Sequence, residues 1–371
     1  MNYRKFIRPV VEQLPVYVPG KPIEEVEREL GVSGVIKMAS NENPLGPSNE
    51  VRQAIAQAVD RIALYPDAAA YYLKEALANE LGVDPSALLT GNGVDEVNRI
   101  LAETLFKPVD EVIIPKPTFS MYEFATRLMN AKPILVQGET GLGNDLAAMK
   151  QAVTSRTKAI FICNPNNPTG TIIKKNELSE FLEGLPSKII VVIDEAYADF
   201  ADDPEFPNGI ELLKTGHYKN LVVYRTFSKI HAMAGLRLGY AVADPALIEL
   251  MQRVKDPFNV NLIAQAAGIA ALTSKKHIAL SKELVQMGRR QFYEELAGLK
   301  VEYLPTQANF ILIDCGQDSV EIYQYLLQNG IIVRPAHSFG LPNHIRVTFG
   351  TAEQNNRFFR FFKEGLKKLR G

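Results

Sequence analysis

Leu221-Val222-Val223-Tyr224-Arg225-Thr226-Phe227-Ser228-Lys229 is the stretch on which the fold turns, and it runs on to Ala234-Gly235-Leu236-Arg237. Its first four residues form an apolar run that reads as a buried strand. Two hydroxyls, a lysine, a glycine and a second arginine follow at the strand's end. That grouping suits a cofactor joined covalently to Lys229, with a phosphate held by Thr226, Ser228 and Arg237. A Ser-Lys pair alone is most often solvated surface, and its neighbours decide which it is.

Outward from this strand, short apolar runs at 87–90, 111–114, 133–136, 159–163, 189–193, 221–224 and 239–243 alternate with helical patterns. They are rich in Val and Ile and do not alternate with polar residues, as expected for strands covered by helices on both faces. This predicts an α/β domain with a mainly parallel sheet, its ligands sitting outside the carboxyl ends of the strands. Ahead of it, residues 1–20 hold prolines 9, 15 and 19 without a clear period and read as an extended arm. A short helix follows over 22–30, with a proline in its first turn and Gly31 as its stop. Helices are expected at 48–62 and 70–81.

Past residue 250 the texture changes to helices at 261–273 and 277–297, then strands at 309–313, 331–334 and 344–349. A last helix opens on Thr351-x-x-Gln354, a capping-box pattern, and carries Phe358, Phe359, Phe361 and Phe362 on one core-facing side. Three parts are therefore expected: an N-terminal arm and short helix (1–40), a large cofactor-binding domain (41–260) and a smaller α+β domain (261–371).

At 371 residues the chain exceeds the size at which one core stops growing. With 46% hydrophobic and 22% charged residues and a net charge of −1, nothing favours nucleic acid or an anionic membrane as partner. No apolar run approaches the roughly 20 residues that span a bilayer, and the first residues lack the apolar stretch of a secretory signal. Cys163 and Cys315 have no CxxC spacing and read as reduced, buried side chains, which fits a cytoplasmic protein. The five histidines form no HxxxH pair, so no metal site is expected.

The suggestive residues of the large domain follow directly on its strands. After 87–90 comes Thr90-Gly91-Asn92-Gly93-Val94-Asp95-Glu96, then an amphipathic helix. Glycines before a helix N-terminus expose N–H groups that can hold a phosphate, although the third glycine of GxGxxG is absent and a plain turn would look the same. After 111–114 comes Pro115-Lys116-Pro117-Thr118-Phe119-Ser120-Met121-Tyr122, where an aromatic on a rigid turn could stack on a planar ring or simply pack. After 159–163, the loop Asn164-Pro165-Asn166-Asn167-Pro168-Thr169-Gly170 offers neutral amide donors to a phenolate-like oxygen, or an Asx-turn cluster. After 189–193 stands Asp194-Glu195-Ala196-Tyr197. A carboxylate there is costly unless paired, with a structural cation or with a protonated heterocyclic nitrogen. Together these loops meet every part of pyridoxal phosphate: lysine for the aldehyde, acid for the ring nitrogen, amide and phenol for the ring oxygen, an aromatic cover, and N–H groups, hydroxyls and Arg237 for the phosphate. Arg334 and Arg346, on strands of the smaller domain, are suited to a carboxylate or phosphate, or to an interdomain salt bridge.

In order and spacing these segments resemble the fold-type I pyridoxal-phosphate aminotransferases, and most specifically the histidinol-phosphate aminotransferase family. The likeness also takes in Leu14 through Pro22, Ser40-Asn41-Glu42-Asn43-Pro44, Tyr65-Pro66-Asp67, Ile332-Val333-Arg334-Pro335 and Ile345-Arg346-Val347-Thr348, and so covers nearly the whole chain. The resemblance implies Lys229 as the catalytic lysine bonded to the cofactor, Asp194 on the ring nitrogen, Asn167 and Tyr197 on the ring oxygen, and Phe119 stacked on the ring. Gly93, Val94 and Asp95 through their backbone, with Thr226, Ser228 and Arg237, would take the phosphate. Tyr65 would reach the phosphate in the neighbouring subunit, making a homodimer, while Tyr17, Asn41, Arg334 and Arg346 would enclose and grip the substrate. The reaction implied is transamination between histidinol phosphate and 2-oxoglutarate in histidine biosynthesis. A broad aromatic amino-acid aminotransferase, or a decarboxylase of a phosphorylated amino acid, are its alternatives. Two positions depart from the family pattern: Val94, more often serine, and His231, more often tyrosine. The first removes a hydroxyl, so Thr226 and Ser228 should matter more.

Overall fold

In the structure, a computed structural model describing residues 1–16, 20–138 and 142–370, all seven apolar runs of the first part become strands of one sheet. In chain order the first eight strands are β1 (Ile36–Lys37), β2 (Leu88–Gly91), β3 (Glu111–Lys116), β4 (Lys132–Gln137), β5 (Thr157–Cys163), β6 (Ile190–Asp194), β7 (Leu221–Thr226) and β8 (Gly239–Ala243). The large sheet runs β2-β8-β7-β6-β5-β3-β4, and only β8 is antiparallel to its neighbours. All its strands but the edge strand β4 read as unbroken apolar runs because both faces are covered. Val191, Ile193, Leu221 and Val223 enter one core, and Val192, Val222, Tyr224 and Phe161 enter the other. Each such aliphatic side chain contributes roughly 1.5–3 kcal/mol of burial.

A second core lies around β9 (Phe310–Asp314), β11 (Arg334–Pro335) and β12 (His344–Thr348), ordered β11-β12-β9, with β10 being Ile331–Ile332. The helices Lys275–Leu299 and Ala352–Arg370 cover it, and Phe292, Phe310, Phe349, Phe358, Phe359 and Phe362 are all buried within it. The capping box forms as expected: Thr351 N–H donates to Gln354 Oε1 (2.9 Å), and Gln354 N–H donates to Thr351 Oγ1 (3.3 Å).

Four expectations need correction. The arm is not wholly extended, since Pro9 sits at the first position of a short helix, Pro9–Gln13. The run 331–334 is two strands, because the chain changes partner at Val333: β10 pairs parallel with β1 and β11 antiparallel with β12. Phe361 is only partly buried, with the Arg360 guanidinium 4.5 Å over its ring. Helix Leu262–Thr273 buries Ala264, Ala267 and Ala271 in the core of the large sheet, so the second core starts later than residue 261. Among the described residues no helix is long and apolar enough to cross a membrane.

Candidate active site

Parallel strands all end on one edge of a sheet, so the loops that follow them are brought together there. At that edge is a cavity of about 260 Å³. The end of β7 supplies Thr226, Ser228 and Lys229 to its wall, and β6 supplies Asp194, Ala196 and Tyr197. Cys163 and Asn167 follow from β5, Phe119 and Tyr122 from the turn after β3, and Val94 and Asp95 from the turn after β2. Arg237, Ala234, Ser40 and Glu42 complete the lining.

Asp194 and Glu195 are adjacent, buried acids with opposite environments. Glu195 takes the structural role: its carboxylate pairs with Arg225 at 2.7 Å and accepts from Gly209 N–H at 2.7 Å. Asp194, 3% exposed, faces the cavity and has no ion-pair partner among the described residues. It accepts a hydrogen bond from Tyr122 O–H (2.6 Å) and one from Ala196 N–H (3.0 Å). Burial pushes its carboxyl up to about 6, against the pull of those two donors. Lys229 Nζ donates to the Ser40 carbonyl at 3.2 Å and lies 5.6 Å from the centre of the Tyr197 ring. Burial, then the charge of Arg346, lowers its amine to about 8.

Gly93 caps the helix Val94–Leu105 at φ 80°, and no side chain caps that N-terminus. The first-turn N–H groups, which have no partner within a helix, therefore belong to residues on the cavity wall. A Cβ at Gly93 would be strained by the positive φ and would lie 2.5 Å from Arg237 Nη2, so the guanidinium would have to shift. Arg237 donates to Asp95 Oδ2 at 3.3 Å. Thr226 Oγ1 serves its own turn, donating to the Leu238 carbonyl (3.3 Å) and accepting from Ser228 N–H (3.1 Å).

A strip of chain, residues 38–41, ties this wall to the second core. Met38 N–H donates to the Ile332 carbonyl and its carbonyl accepts from Thr348 N–H, while the Ala39 carbonyl accepts from Arg346 Nη2 at 2.6 Å. Asn41 Nδ2 donates to the Tyr197 hydroxyl (2.9 Å), which Asn167 Nδ2 approaches at 3.4 Å. Arg346 is 6% exposed, and its Nη1 donates to Asn167 Oδ1 at 2.5 Å. Arg346, Asn41 and Gly93 thus stand just behind the lining rather than on it. Arg334 is directly across from Arg346 in the β11–β12 pair. Tyr65 is not brought to the cavity: it is 81% exposed and stacks on Phe258 at 4.7 Å. Tyr17 lies outside the described residues.

Sequence reasoning missed the role of Tyr122, whose hydroxyl holds Asp194, although the aromatic pair Phe119 and Tyr122 stood together in the quoted turn. It also missed the Glu195–Arg225 pair and the position of Glu42. His231 packs against Phe227 at 4.9 Å with Nδ1 buried, and burial lowers its imidazole to about 4.

A buried carboxylate without a cation, a lysine lowered toward neutrality and an uncapped helix end with a guanidinium against glycine form a donor set that fits pyridoxal phosphate. Residues 33–362 match the aminotransferase class I and II family. The histidinol-phosphate aminotransferase of Moorella thermoacetica is 49% identical over 97% of this chain and 92% of its own length. That of Caldicellulosiruptor saccharolyticus is 45% identical over 97% of this chain and 99% of its own. The crystal structure of histidinol-phosphate aminotransferase from Sinorhizobium meliloti in complex with pyridoxal-5'-phosphate superposes with a TM-score of 0.88 at 25% identity, covering 98% of both chains. The chain belongs to the class I and II aminotransferases, and within them to the histidinol-phosphate aminotransferase family.

Proposed function

We propose that this chain transfers the amino group of histidinol phosphate to 2-oxoglutarate, giving imidazole acetol phosphate and glutamate for histidine biosynthesis, with pyridoxal 5'-phosphate as cofactor. The observation that carries this is the 49% identity, over nearly its whole length, to an aminotransferase named for that substrate. When bound, the cofactor supplies a covalent anchor for amino groups and a ring that accepts negative charge from substrate Cα. Lys229 would provide the attachment point, and its Nζ is placed to take the proton from substrate Cα. Asp194 keeps the ring nitrogen protonated, oriented by the Tyr122 hydroxyl. Asn167 and Tyr197 hold the ring oxygen, and Phe119 covers the ring. The backbone of Gly93, Val94 and Asp95, with Thr226, Ser228 and Arg237, holds the phosphate.

Arg334 and Arg346 grip the substrate phosphate in one half-reaction and the carboxylate of glutamate in the other, aided by Asn41 and Tyr17. Like charges directly opposite on paired strands are unfavourable, and an anion between them offsets that cost. Arg346→Ala should therefore raise the half-saturating concentrations of both histidinol phosphate and glutamate by roughly 10–100-fold, the worth of a charge-assisted hydrogen bond. A rise confined to glutamate would contradict a shared grip.

The working unit is a homodimer in which Tyr65 reaches the partner's cofactor phosphate. Supporting this, Tyr65 does not line its own cavity but shares a surface recess with Ile62, Leu64 and Phe258, all of them exposed. Two buried free cysteines suit a cytoplasmic setting. The reaction is tested by an amino-donor screen of purified protein with 2-oxoglutarate, scoring glutamate formation from histidinol phosphate and from phenylalanine. Histidinol phosphate should give the highest kcat/KM, and a preference for phenylalanine would reject the assignment.

A further inference from the structure

An imidazole ring carries at least one N–H that needs an acceptor once water is excluded around it. If histidinol phosphate is the substrate, as read above, the wall must supply that acceptor. Most candidates are engaged. Asp95 accepts from Arg237 (3.3 Å), Asp194 from Tyr122 (2.6 Å) and Ala196 (3.0 Å), and the Ser40 carbonyl from Lys229 (3.2 Å). The Asn167 carboxamide oxygen accepts from Arg346.

Glu42 differs from all of these. Its Oε1 accepts from Lys37 Nζ at 2.9 Å, and no hydrogen bond to Oε2 is found among the described residues. Its side chain keeps 42% of its surface exposed. It lines the cavity that holds Lys229, and also a neighbouring recess of about 410 Å³ walled by Ile23, Met38 and Phe349 as well as the polar Glu24, Lys37 and Gln354. Glu42 thus stands between that recess and the cavity of the reacting lysine, with one carboxylate oxygen available.

We propose that Glu42 is a specificity-determining residue that selects imidazole-bearing amino donors, its Oε2 accepting the ring N–H while Lys37 fixes the carboxylate through Oε1. The substrate then spans the site with its phosphate toward Arg346 and its ring on Glu42. A purely aromatic side chain occupies the same space without that bond.

The test is steady-state kinetics of the cofactor-loaded enzyme with histidinol phosphate and with phenylalanine as donors. Glu42→Gln should lower the ratio of kcat/KM for histidinol phosphate over phenylalanine by about 10–100-fold, mainly through KM. Glu42→Asp should recover part of that ratio. Lys37→Met leaves the acceptor and removes only what fixes it, so it should lower the ratio by less than Glu42→Gln does. Equal losses for both donors in Glu42→Gln would mean that Glu42 acts on Lys229 rather than on the ring, and would overturn the proposal. A fall in the ratio with Lys37→Met to the level of Glu42→Gln would mean that only the ion pair matters, and would overturn it as well. If the unaltered enzyme does not favour histidinol phosphate, the substrate assignment and this proposal fall together. If it does and Glu42→Gln leaves the ratio in place, only this proposal falls.

Discussion

Lys229→Ala is expected to abolish turnover of every amino donor, together with the near-visible absorbance of the lysine-bound cofactor, while the chain stays folded. The absorbance spectrum after addition of pyridoxal phosphate and a single-turnover assay check both. A variant that keeps either would remove Lys229 from the centre of the chemistry. The reason lies in the position of the amine, which projects from the end of β7 into the cavity and, among the described residues, donates a hydrogen bond only to the Ser40 carbonyl. Burial, then the charge of Arg346, brings it from 10.5 down to about 8, which leaves a reactive neutral fraction at ordinary pH. The same shift makes a prediction for the cofactor-free protein. Below pH 8 the folded chain bears a charge that it disfavours. Between about 8 and 10.5 it sheds its proton before the unfolded chain does, and above 10.5 the cost is gone. Lys229→Met should therefore melt higher than the unaltered apoprotein at pH 7, and the gap should close as pH climbs through that window.

Asp194→Asn should keep the shape and the Tyr122 hydrogen bond but lose the charge. Removing one member of a buried ion pair typically costs about 3–5 kcal/mol, and spent wholly in the transition state that slows turnover by roughly 10²–10⁴-fold. Tyr122→Phe should fall between the two, since it deletes only the 2.6 Å bond that orients the carboxylate. Stability should move the opposite way. Burial raises the carboxyl from 3.8 to about 6, so the folded apoprotein bears a cost above pH 6 that fades as pH falls toward 3.8. The cofactor-free Asp194→Asn protein should then melt higher than the parent at pH 7 and converge with it at pH 4. Turnover within a few-fold of the parent would sink the role given to Asp194.

The large sheet was legible because all its strands but the edge strand β4 are buried on both faces and so leave uninterrupted apolar runs, and the reactive residues were legible because they follow directly on those runs. What the sequence hid depends on contacts between distant segments. Tyr122 reaches Asp194 from another loop, and nothing in the local pattern distinguishes it from a packed tyrosine. Residues 331–334 look like one strand, and only the pairing of β10 with β1 splits them. Phe361 shares its apolar character with Phe362 but points to the edge of the core, where Arg360 covers it. The fork of Arg346 on Asn167 and Ala39 was likewise invisible, since an arginine on a small-domain strand carries no mark of which loop it will meet.

The strip from Met38 to Asn41 grips its neighbours largely through backbone oxygens: Ala39 gives one to Arg346 and Ser40 gives one to Lys229. Ala39 and Ser40 lie in a bend followed by Asn41 at φ 55°, so the backbone path sets where both oxygens point, and the count of residues is constrained more than their identity. A single residue inserted between Lys37 and Asn41 would swing both oxygens away at once and misdirect the two cations on which substrate and cofactor would depend.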